Sequence, residues 1–179
     1  MFGFIFLAIL LVVEAALFIG FFFYSSRISP LKFDIYCEKL IKRFAKRNDL
    51  LCLTRLNISN FERSRISVNH VLFGKKYIYL ISDFKLNGFV YGSADDKSWI
   101  YYNRRQKKHK YIVNLNELAN QNIKEVSTLL GVNSDPFKSI CLISNNCDFK
   151  LKNQNKTVNH VVHFLSLKRK IRKLEKSKI

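Results

Sequence analysis

Apolar residues fill positions 1–24 almost without interruption; only Gly3, Glu14 and Gly20 break the run. As a helix rising about 1.5 Å per residue, this stretch reaches about 36 Å, enough to cross a hydrocarbon core of about 30 Å. The pattern then changes. Residues 31–47 place Phe33, Cys37, Leu40, Ile41 and Phe44 on one face of an amphipathic helix, with Glu38 bordering the stripe. Residues 50–56 read as a strand, and the β-rich runs 66–73 and 77–81 read as a hairpin around Gly74. Two further short strands follow at 88–91 and 99–102, and the polar cluster 103–110 interrupts the pattern. Ala119, Ile123, Val126 and Leu130 then recur at helical spacing, with Gly131 as a stop. A late strand at 140–143 and an amphipathic helix at 158–174 complete the order. Helix, sequential strands, helix, strand, helix favours a compact α/β or α+β domain over an all-helical one.

These patterns divide the chain into a transmembrane anchor at 1–24, a linker at 25–30 and one domain at 31–179. A cleavable signal peptide would carry a basic residue before its apolar run, and none precedes Arg27. An ionised Glu14 in mid-span costs roughly 2.5–3.5 kcal/mol, which the surrounding apolar side chains outweigh. Arg27, Lys32 and Lys39 follow the span, so a single-pass protein with a cytoplasmic C-terminal domain is expected.

Charge sharpens the division. All 31 Lys and Arg lie from Arg27 onward, and the net charge is +18. Two clusters stand out: Arg104, Arg105, Lys107, Lys108 and Lys110, and then Lys168, Arg169, Lys170, Arg172 and Lys173. Either suits nucleic-acid phosphates, anionic lipid headgroups or a solvated basic face. The bilayer, nucleic acid (DNA first), anionic lipids and protein partners are the expected contacts. Cys37, Cys52, Cys141 and Cys147 form no Cys-x-x-Cys pair and read as buried apolar residues. The four histidines are equally dispersed. Trp99, Tyr101 and Tyr102 suit either a sheet core or base stacking.

The segment from Val68 to Gly92 carries the candidate chemistry. Asp83 and Lys85 alternate at a strand end, so both side chains can face one side. A carboxylate there can hold a divalent cation, and a lysine can stabilise charge on a phosphate. A hairpin brings Asn69 close to Asp83, whereas His70 falls on the opposite face of a regular strand and reads as a packed or surface residue. The same pattern also describes an ordinary solvated strand end.

Asn69-His70-Val71, Asp83-Phe84-Lys85, the Gly88–Gly92 turn and Trp99 together resemble the nuclease-related domain called NERD, similar to the restriction-endonuclease-like superfamily. Glu38 matches that family's helical acid, and Gln121-Asn122 match its later Gln-Asn pair. The resemblance implies an α/β fold, a restriction-endonuclease-like mixed-sheet core flanked by helices, here preceded by one transmembrane helix. It also implies phosphodiester hydrolysis of DNA with Mg or Mn. Asp83 and Glu38, with Asn69 beside them, would hold the metal; Lys85 and Gln121 would position water or phosphate. Asn69 stands where the family has an acid, Asp83 where it commonly has Glu, and Glu125 where it usually has a His. A neutral carbonyl is a poorer partner for Mg²⁺ than a carboxylate. The expectations are therefore a membrane-anchored nuclease weakened or inactivated by Asn69, a non-cleaving nucleic-acid binder, or a membrane scaffold for lipid or protein partners.

Overall fold

The computed structural model describes Glu14 and residues 32–59, 65–152 and 160–177. Helix α1 (Phe33–Arg47) forms because Phe33, Cys37, Ile41 and Phe44 recur on one buried face, and Asp34 sits in its first turn. An acid there is favoured by the positive end of the helix dipole. Asn48 ends the helix: its Nδ2 donates to Phe44 O at 2.7 Å and its backbone N–H to Ala45 O at 3.1 Å.

The strands form two sheets. β1 (Leu51–Ser59), β2 (Arg65–Phe73) and β3 (Ile78–Phe84) make an antiparallel meander. β7 (Phe137–Ile143) adds parallel to β3, and the short β9 (Val161–His163) adds parallel to β7, giving the order β1-β2-β3-β7-β9. In the second sheet β4 (Gly88–Ser93), β5 (Ser98–Asn103) and β6 (Lys108–Val113) are antiparallel neighbours. β8 (Cys147–Lys152) pairs parallel to β4, giving β6-β5-β4-β8. The parallel pair β3–β7 thus continues as the parallel pair β4–β8, and both chains pass from one sheet to the other within a few residues.

Helices cover both faces of the first sheet. Leu72, Tyr79, Ile81, Ile140 and Leu142 pack on α1 and on α3 (Leu167–Lys176), which follows a 3₁₀ turn at Phe164–Ser166. On the other face Val71, Leu80 and Phe137 meet Val126 of α2 (Leu115–Leu130). The N-terminal half of α2 also closes the inner face of the second sheet, where Val90, Trp99, Tyr101 and Leu151 are buried with Leu115 and Ala119. Asn114 fixes this junction. Its Oδ1 accepts from Asn116 N–H at 2.9 Å as an N-cap, while its Nδ2 donates to Ala94 O and Asp96 O. Gly131 ends α2 in the left-handed conformation, as its place in the sequence predicts.

The structure bears out a mixed-sheet α/β core flanked by helices, but not the preceding transmembrane helix. Among the described residues no helix is long and apolar enough to cross a membrane. A span needs about 20 mostly apolar residues, whereas α1, α2 and α3 have 15, 16 and 10. The stretch 1–24 lies outside the described residues except for Glu14, which is helical and exposed. The membrane anchor, the bilayer as partner and the cytoplasmic, single-pass placement are therefore dropped. Element boundaries changed too. Residues 103–110 hold only a turn before β6 begins at Lys108, and part of the expected 158–174 helix is β9 and the 3₁₀ turn.

Candidate nucleic-acid interface

The residues expected to bind metal do not converge. Asp83 lies on the α1 face of β3, and its Oδ1 is 3.3 Å from His70 Nε2, with both side chains almost fully buried. The contact is close but not aligned as a hydrogen bond, and both atoms lack a hydrogen-bonding partner. Asn69 meets the main chain instead: its Oδ1 accepts from the Asp83 backbone N–H at 3.4 Å. Glu38 is held by Lys42 at 2.6 Å and by Arg55 at 3.5 Å. The hydrogen bond from Lys42 keeps the Glu38 carboxyl below its ordinary range. Lys85 pairs with Asp34 at 3.1 Å, and that bond holds Asp34 below its ordinary range as well. Gln121 is exposed on α2, across the first sheet from Asp83.

The rearranged partners have a local cause. The β1–β2 pairing skips Arg55 and Asn69, and Arg55 adopts a positive φ of 57°. Val68 and Val71 consequently share one core cluster, where strict alternation would separate them. His70 is then brought to Asp83. Cys37 completes this interior, its thiol pushed well above the ordinary range by burial first and then by Asp83 and Asp34. A protonated, buried thiol is a poor nucleophile.

Metal-dependent cleavage is corrected accordingly. Among the described residues no group of three or more His, Cys, Asp or Glu could hold a metal ion. Asp83, Glu38 and Asn69 are each turned to a different partner, so the donor set does not fit Mg²⁺, which favours carboxylates in near-octahedral geometry.

A different surface brings the unexpected residues together. Alternation along β4 and β5 sends Val90, Trp99 and Tyr101 inward and Phe89, Tyr91, Ile100 and Tyr102 outward. Register then builds rows across the sheet. Phe89 pairs with Tyr102, which pairs with His109; Tyr91 pairs with Ile100, which pairs with Tyr111. The Phe89 and Tyr102 rings stack with centroids 6.3 Å apart and planes 26° apart. Tyr91 lies 6.1 Å from Phe89, and His109 lies 4.7 Å from Tyr102. Tyr111 is 78% exposed and Ile100 40% exposed, on the sheet face opposite the one that α2 closes, while Phe89, Tyr91 and Tyr102 are half-buried.

Cations rim this face. The Arg104 guanidinium sits 4.4 Å from the Phe89 centroid, and Lys150 Nζ sits 4.9 Å from Phe89 and 5.9 Å from Tyr91. Arg104 also reaches Asp148 at 2.7 Å, which fixes the guanidinium over the ring. Asn103 Oδ1 accepts from the backbone N–H groups of Arg105 and Gln106, holding the tight turn that carries Arg105 and Lys107. Two glycines keep β4 in place: a Cβ on Gly88 would strike Tyr102 O, and one on Gly92 would lie 2.6 Å from Trp99 Cδ1. Both have positive φ, +147° and +155°.

Of the predicted basic residues, Arg104, Arg105, Lys107, Lys108 and Lys110 belong to this sheet. Lys110 lies against the Tyr101 ring at 5.4 Å. Lys168, Arg169, Lys170, Arg172 and Lys173 belong to α3, over the first sheet. Trp99 and Tyr101 are core residues, while Tyr102 lies on the open face. Phe89, Tyr91, Ile100, Tyr111 and Lys150 were not anticipated, although the period of two in Phe89/Tyr91 and Ile100/Tyr102 was available to find three of them.

No known protein family matches the chain, and no curated protein matches it significantly. With neither a family match, nor a metal-binding group, nor a spanning helix among the described residues, the membrane-anchored nuclease-related identity is not upheld.

Proposed function

We propose that the domain is a non-catalytic binding module for single-stranded nucleic acid, which it takes up on the outward face of the second sheet. One observation carries this reading: an outward aromatic face of half-buried Phe89, Tyr91 and Tyr102 and exposed Tyr111, with Arg104 and Lys150 lying over Phe89, on a strongly basic chain. Unpaired bases present flat faces that stack on such rings, and each stacked base contributes about 1–3 kcal/mol. The backbone phosphates then lie at the rim, where Arg104, Lys150 and the turn cations Arg105 and Lys107 attract them. A duplex buries its base faces and gains only the phosphate attraction. Every base presents a face that can stack on these rings, so affinity is expected to vary little with sequence and strongly with salt.

The test is fluorescence anisotropy of the full-length chain with labelled oligo(dT), oligo(U) and a matched duplex, across a salt series. Tyr91→Ala and Tyr102→Ala should each weaken single-strand binding by about 1–3 kcal/mol, roughly 5- to 150-fold. Lys150→Ala should mainly flatten the salt dependence. Equal affinity for duplex and single strand, or aromatic variants that bind like the parent chain, would sink the proposal.

A further inference from the structure

A cleft of about 440 Å³ opens where the end of α1, the β2–β3 turn and α3 meet. Phe44 and Leu50 form its apolar floor, while Lys75, Arg172 and Lys176 converge on it from two elements. Glu175 also borders the cleft and sets one negative charge against the three positive ones, leaving a net excess of cations, and both its oxygens are held. Oε1 accepts from the Tyr79 hydroxyl at 2.6 Å and Oε2 from the Lys76 backbone N–H at 3.0 Å. None of the three cations has an ion-pair partner among the described residues. Arg172 and Lys176 are one helical turn apart on α3, so they repel each other as well as Lys75.

Cations near a helix C-terminus are favoured by the dipole, which accounts for Arg172 and Lys176 at the end of α3. It does not account for Lys75, which comes from the β2–β3 turn. At the end of α1, Asn48 already caps Phe44 O and Ala45 O. An anion offsets the mutual repulsion, and a planar guanidinium suits phosphate oxygens in two parallel hydrogen bonds. The volume lies within the range of small-ligand sites, and the apolar floor gives a ligand body somewhere to rest.

We infer that this cleft is a binding site for a nucleoside di- or triphosphate, with the phosphates among Lys75, Arg172 and Lys176 and the nucleoside over Phe44 and Leu50. The site is separate from the aromatic face and does not depend on it. Isothermal titration of the full-length chain with ATP, ADP and inorganic tripolyphosphate tests it. ATP and ADP should bind, tripolyphosphate about tenfold more weakly because it lacks the nucleoside, and Lys75→Glu and Arg172→Glu should each weaken ATP by at least about tenfold. Both substitutions are at exposed positions, and circular dichroism will show an unchanged fold. Absence of ATP binding at millimolar concentration, tripolyphosphate binding as tight as ATP, or ATP binding indifferent to both charge reversals overturns the inference. Retained oligo(dT) binding by Arg172→Glu, and retained ATP binding by Tyr91→Ala, let the two sites succeed or fail separately.

Discussion

The Asp83 interior and the outward face of the second sheet are built from similar groups in opposite settings. Each holds a carboxylate, a histidine and nearby cations. Around Asp83 these groups are turned toward one another: Asp83 to His70 in the interior, and Lys85 to Asp34 and Glu38 to Lys42 and Arg55 nearer the surface. On the second sheet Arg104 is the one cation with an acidic partner among the described residues, and Tyr111 is left exposed. Spent polar groups hold a structure together, whereas unspent ones remain for a ligand. Residue type alone does not separate the two cases; partners do.

Four perturbations test that contrast, in order of expected size. The two faces of the second sheet should respond in opposite ways. Trp99→Ala removes a fully buried ring and should cost about 3–5 kcal/mol in denaturant unfolding. Tyr111→Ala, 78% exposed, should alter stability by no more than about 0.5 kcal/mol. The same Tyr111 change should weaken single-strand binding by about 1–3 kcal/mol. A Tyr111 variant that binds normally would shrink the platform to Phe89, Tyr91 and Tyr102.

Next comes the Asp83 interior. Asp83→Ala deletes a buried side chain packed 3.3 Å from His70 and should destabilise by about 1–3 kcal/mol while oligonucleotide binding persists. Loss of binding without loss of stability would return Asp83 to a functional role. Metal is a third probe. Neither Mg²⁺ nor a chelator should move the melting temperature, because the carboxylates are not assembled around a common point. A Mg²⁺-dependent rise that Asp83→Ala abolishes would contradict the separation drawn between the two regions.

The smallest non-zero effect is expected on the alkaline limb. Burial pushes the Cys141 and Cys147 thiols up to about 12 from an ordinary 9.0. Below pH 9 both folded and unfolded chains keep these protons, so the stabilisation is fully present. From pH 9 towards 12 the unfolded chain ionises first, and stability falls as pH rises. Cys141→Ala should lower stability at neutral pH but flatten its decline above pH 9. A decline as steep as the parent's would assign the alkaline loss to other groups.

Much of this architecture was legible in the sequence. The α1 stripe, the β2–β3 hairpin and the helix ending at Gly131 all follow from periodicity and capping. β6 did not, because an edge strand facing water on both sides carries Lys108, His109 and Lys110 and has no apolar alternation to read. β9 was absorbed into a helix because three residues are too few to declare a period. At the site, Asp83 stood out as an acid at a strand end, but its partner was misjudged. The skipped pairing at Arg55 and Asn69 is a property of two strands in register, and neither strand shows it alone. The aromatic rows were hidden for the same reason: Phe89, Tyr102 and His109 become neighbours only once β4, β5 and β6 are aligned.

The parallel pairing of β4 with β8 also has a consequence for synthesis. A ribosome delivers β4, β5 and β6 more than thirty residues before β8. Until Cys147–Lys152 emerges, the backbone of Gly88–Ser93 is an unpaired sheet edge beside a cluster of rings. Such an edge invites pairing with another chain. The nascent protein is therefore most prone to aggregate before β8 emerges, and truncations that end between Val113 and Cys147 should collect in inclusion bodies while the 179-residue chain does not.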